Sequence, residues 1–63
     1  MTRRALSGLQ LDVIQRLRDR GHVALADEAR DGWIAGRCLE NEHLGGDPEL
    51  RADFNRANAE AKT

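Results

Sequence analysis

The six residues Leu44-Gly45-Gly46-Asp47-Pro48-Glu49 are the strongest constraint on what this chain can become. Two adjacent glycines lose the most backbone entropy on ordering, and a proline has no N–H to give to a helix or a sheet. No regular element runs through that stretch. It is, however, well made for starting a helix: Asp47 suits the N-cap, Pro48 the first helical position, and Glu49 meets the positive end of the dipole. Leu50, Phe54, Ala57 and Ala61 then fall on a narrow stripe, which predicts a helix over about 48–60. Gly45 is placed to end the second, central helix.

The N-terminal part is punctuated as plainly. Ser7-Gly8-Leu9-Gln10 fits a capping box, with Leu6 and Leu11 spaced for a hydrophobic staple across it. Leu6, Leu9, Val13 and Leu17, flanked by Ile14, recur at helical spacing. Asp12 and Arg16 form a favourable i,i+4 pair on the other side, and Gly21 supplies the left-handed residue that closes the segment. The prediction is a first helix over about 8–20, with residues 1–5 as a short basic tail.

Between these breaks lies Val23–Leu44, which reads as one central helix over 23–44. Leu25, Ala29, Gly32, Gly36 and Leu39 form one seam on a helical wheel. Val23, Ala26, Trp33, Ile34 and Leu44 form a second, with Arg30 and Arg37 among them. A helix with two apolar seams touches two neighbours. Each internal glycine costs about 1 kcal/mol relative to alanine, so Gly32 and Gly36, one turn apart, are expected where another backbone packs closely. The alternative is that Asp31-Gly32 breaks the segment in two. The fold class predicted is therefore all-α: one domain of three helices, 1–63, arranged around the central one, with 1–5 and 61–63 as mobile tails.

Composition narrows the function classes. At 63 residues a single core supplies only about 3–5 kcal/mol of net stability without a staple. One Cys excludes an internal disulfide. The chain has 10 Lys plus Arg against 11 Asp plus Glu, a balance that argues against a dedicated polyanion binder or a polybasic membrane tail. No segment approaches the roughly 18 consecutive apolar residues of a membrane span. Thr2-Arg3-Arg4 is followed by no apolar run, so it is not read as a twin-Arg signal. One free Cys without a signal peptide points to a reducing cytoplasm.

His22, Cys38 and His43 are the only residues that suggest a metal or a nucleophile. Cys38 and His43, five apart, fall on different helix faces, and a tetrahedral site needs four converging ligands. No metal, no cofactor and no catalytic residue is expected. Asp27 and Asp31, one turn apart, read as a solvated acidic strip. The expected function is therefore non-enzymatic. The chain reads as a protein–protein interaction module, an adaptor or inhibitor docking on a larger assembly, or a homodimer, through its central helix. Trp33, Ile34, Arg30 and Arg37 are the expected contacts, because Trp and Arg are enriched at binding hot spots and two thin helices would hardly cover so much apolar surface. The alternative is a small nucleic-acid-binding regulator using Arg3, Arg4, Arg16 and Arg20, whose phosphate contacts would show a steep salt dependence.

Overall fold

The computed structural model describes residues 5–40 and 44–61. They form an all-α domain of three helices: α1 Gly8–Asp19, α2 Val23–Ile34 and α3 Pro48–Ala61. Each start follows from local chemistry. At α1 the Ser7 hydroxyl accepts from the Gln10 N–H at 3.1 Å, and the Gln10 side chain accepts from the Ser7 N–H at 2.9 Å, closing the capping box. At α3 the Asp47 carboxylate accepts from the Leu50 N–H at 3.2 Å, with Pro48 behind it where no N–H is needed. α3 continues one residue past its expected end: Ala61 is helical and buried, not part of a tail.

Helices α1 and α2 end in the same way. Gly21 and Gly36 take left-handed backbone angles, with φ of 87° and 78°. After α1, His22 N–H donates to Leu17 C=O at 2.8 Å and Gly21 N–H to Arg18 C=O at 3.1 Å. After α2, Arg37 N–H donates to Gly32 C=O at 2.7 Å and Gly36 N–H to Trp33 C=O at 3.1 Å. This paired pattern is the Schellman motif, which satisfies the carbonyls a helix end leaves open.

The central helix is thus shorter than the 23–44 expected, stopping at Ile34. Neither the continuous helix nor a break at Asp31-Gly32 describes it, since the chain turns at Gly36. That turn lets Leu39 fold back across the end of α2. A Cβ built on Gly32 would stand 2.9 Å from Leu39 Cδ1. The close approach expected at Gly32 is therefore made by the side chain of the chain's own returning loop. Gly36 has a different task, supplying the positive φ that most residues reach only at a cost of about 1–2 kcal/mol.

The core is built from one face of each helix. Val13, Ile14 and Leu17 come from α1, Leu25, Ala26, Ala29 and Trp33 from α2, and Leu50, Phe54, Ala57 and Ala61 from α3, with Leu44 added from the connection. Leu6, Leu9 and Leu39 pack against the margins. Of the two seams read on the central segment, Leu25, Ala26, Ala29, Gly32 and Trp33 make one buried face of α2, Leu39 and Leu44 reach the core from outside the helix, and Val23 and Ile34 stay out of it. α1 packs on both neighbours, while α2 and α3 meet more narrowly. Their junction is the Trp33–Phe54 pair, ring centroids 5.3 Å apart and tilted by 54°, in the range favoured for aromatic contacts. Leu11 remains 54 % exposed, so only the Leu6 side of the expected staple is packed.

Candidate functional site

Trp33, expected at the surface, is only 1 % exposed. Its indole N–H donates to Asn58 Oδ1 at 2.6 Å, which satisfies the one polar atom it carries into the core. Asn58 also accepts from the Leu39 N–H at 3.1 Å and donates to the Leu39 C=O at 2.7 Å. The Cys38 thiol donates to the Asn58 carbonyl at 3.3 Å. One α3 side chain thus ties down the loop that covers the end of α2.

The face of α2 opposite this core is what the chain presents to solvent. At about 100° per residue, Val23, Asp27, Arg30 and Ile34 lie within an arc of about 60°. Val23 is 48 % exposed and Ile34 half-buried, with Arg30 exposed between them. Asp27 Oδ1 accepts from Arg18 Nη2 at 2.6 Å, across the α1–α2 turn. Two apolar ends therefore bracket an acid and a base. Beyond Ile34, Arg37 is exposed on the loop.

A groove of about 380 Å³ adjoins this face, lined by Glu28, Asp31, Gly32, Arg37, Cys38 and Leu39. A second of about 460 Å³ runs from Gly21 to Leu25 and shares Glu28 with the first. Glu28, Asp31, Arg37 and Cys38 are all exposed, so the first groove holds no desolvated acid–base pair of the kind catalysis uses. Among the described residues no group of three or more His, Cys, Asp or Glu could hold a metal ion. His22 is half-buried at the N-cap of α2 without a side-chain capping bond, and His43 lies outside the described residues.

The arginines divide into two sets. Arg16 bridges α1 and α3, 2.6 Å from Asp53 and 3.0 Å from Asp12. Its hydrogen bond holds the Asp53 carboxyl below the usual aspartate range, against the desolvation that would raise it, with Arg56 adding to the effect. The same bond raises the Arg16 guanidinium. Arg20 pairs with Asp47, the N-cap of α3, and Arg56 with Asp53 at 3.2 Å. Arg30, Arg37 and Arg51 have no carboxylate partner among the described residues. Arg3 and Arg4 lie outside them. Of the four arginines expected to face nucleic acid, the two that are described, Arg16 and Arg20, are engaged with carboxylates of the chain itself.

Sequence reasoning missed two polar residues that knit the helices together. Gln10 was legible as a cap but also donates through Nε2 to the Ala57 C=O at 3.1 Å and is 4 % exposed. Asn58 carried no local signal, because its partners stand 19 and 25 positions away. No family model, no curated protein and no solved structure matches the chain.

Proposed function

We propose that this is a non-enzymatic protein–protein interaction module, an adaptor or inhibitor that docks through the outward face of α2. The observation that carries the reading is the row Val23, Asp27, Arg30 and Ile34: an exposed valine and a half-buried isoleucine at the two ends, with Arg30 between them unclaimed by any described carboxylate. Arginine bordered by apolar surface is a common composition at binding hot spots. Arg30, Ile34 and Arg37 keep the contact role expected of them. Trp33 supports the surface from beneath by fixing the end of α2 on α3, and touches no partner.

A protein partner is favoured over nucleic acid because Arg16 and Arg20 already face Asp53, Asp12 and Asp47. Phosphate binding would have to break those pairs. No helix of the described residues is long and apolar enough to cross a membrane. The exposed thiol of Cys38 suits a reducing compartment, and the proposal is accordingly for a cytoplasmic protein.

The test is a photo-crosslinking amino acid placed at Val23, with Arg51 on α3 as the control position, in the cell that makes the protein. Adducts of defined mass from Val23 and not from Arg51 support the reading. Adducts from neither position, or equally from both, overturn it.

A further inference from the structure

We infer that the partner for the outward face of α2 is a second copy of this chain, the two α2 helices lying antiparallel across a two-fold axis. The inference rests on the reading of that face as an interaction surface and names its occupant. The row Val23, Asp27, Arg30 and Ile34 is symmetric about the point midway between Glu28 and Ala29. Reversing one copy against the other sets Val23 opposite Ile34 at both ends and Asp27 opposite Arg30 twice in the middle. Every apolar residue then meets an apolar one, and every charge its opposite. Such self-complementarity is what an isologous contact demands, since each patch must fit its own rotated image.

The spacing agrees with the charges. Steps of four, three and four residues are those of a helix–helix seam, in which side chains of one helix enter the gaps of the other at a shallow crossing angle. The order within the row matters: exchanging Asp27 with Val23 alone would place acid against isoleucine. Asp27 also retains an acceptor. Its Oδ1 takes Arg18, and a carboxylate has two oxygens, so Oδ2 can receive Arg30 of the other copy. Arg30 is exposed and has no competing carboxylate among the described residues.

The ends of the row stand about 16 Å apart at 1.5 Å per residue. A patch that short belongs with small, transient interfaces, and the expected dissociation constant is on the order of 100 µM. Its centre is ionic and near solvent, so added salt weakens it. The core of each copy is already closed, with Trp33 sealed, so the single chain folds without its partner and row variants stay folded.

Sedimentation equilibrium from about 10 µM to about 1 mM spans the expected constant. The wild-type chain is expected to pass from monomer to dimer across that range. Arg30→Asp alone sets acid against acid, and Asp27→Lys alone sets base against base, so each variant should associate at least about 10-fold more weakly. An equimolar mixture of the two restores opposite charges at every central position and should recover a mixed dimer, visible by isotope-labelled native mass spectrometry. Circular dichroism establishes that each variant is folded. A wild-type chain monomeric at the highest concentration overturns the inference, as does a dimer indifferent to both substitutions. If Val23 crosslinks in cells to a different protein while the purified chain stays monomeric, the second copy is excluded and the interaction surface stands. If Val23 gives no adduct in cells either, both readings fall.

Discussion

Asn58 meets Leu39 much as one strand residue meets another: its side-chain amide takes the Leu39 N–H at 3.1 Å and gives a hydrogen to the Leu39 C=O at 2.7 Å. Because Asn58 Oδ1 also accepts from the Trp33 indole, this one side chain joins α3, the end of α2 and the returning loop. Asn58→Ala leaves three polar groups unpaired at the edge of the core, and an unmet buried group costs about 1–3 kcal/mol. With partial rehydration, the expected loss is about 2–4 kcal/mol. A chain this small has about 3–5 kcal/mol in hand. Urea titration followed by Trp33 fluorescence should show the transition lowered almost to zero denaturant, and an unchanged midpoint would remove Asn58 from its central place.

Gly32 and Gly36 should respond differently to the same change. At Gly36 alanine must adopt the left-handed angle that the Schellman turn imposes, a cost of about 1–2 kcal/mol. At Gly32 the added methyl is too close only to Leu39 Cδ1, a side-chain tip that can shift, and stands at ordinary contact distance from Leu39 Cγ and the Arg37 C=O, while alanine regains about 1 kcal/mol of helix propensity. Gly36→Ala is therefore expected to lower the melting temperature while Gly32→Ala leaves it nearly unchanged. Equal losses at both positions would instead favour two tightly packed helix-interior glycines.

Acid should weaken the α1–α3 junction through Asp53. Its folded pKa lies below the ordinary value of 3.8, chiefly through the Arg16 hydrogen bond. The stability it contributes is fully present above the unfolded pKa and is lost as pH falls through the depressed folded one. Thermal melts between about pH 5 and pH 2 should show a fall in melting temperature that is shallower in Asp53→Asn than in wild type. Parallel acid limbs would show that Asp53 has the same pKa in the folded and unfolded states.

Substitutions at the solvent row and in the core should separate binding from folding. Val23→Asp and Arg30→Asp change exposed side chains outside the core cluster and are expected to change stability by no more than about 0.5 kcal/mol. Trp33→Ala removes the largest buried side chain and should cost about 3–5 kcal/mol, enough to unfold the chain. Far-ultraviolet circular dichroism distinguishes the two cases. Loss of helicity in Arg30→Asp would show that Arg30 supports the fold.

Much of the fold was legible because its signals are local. Ser7 with Gln10, Gly21, and Asp47 with Pro48 each act on backbone within a few residues, and they set both ends of α1 and the start of α3. The segment after Ile34 was read differently because Leu25, Ala29, Gly32, Gly36 and Leu39 keep helical spacing while the chain does not keep helical geometry. Periodicity records which residues are apolar, and Leu39 satisfies it by returning over Gly32 from the loop. The candidate site was legible in part. Arg30 and Arg37 are exposed and Ile34 is half-buried, whereas the burial of Trp33 depends on Phe54 and Asn58, which only the tertiary fold brings near.

The shared acceptor at Asn58 has a consequence for how this domain breathes. Two protons, one on the Leu39 main chain and one on the Trp33 ring, rest on the same oxygen. Any excursion that carries α3 away from the loop uncovers both together, so in deuterated solvent they should be replaced in step, reporting one opening from two spectroscopically distinct positions.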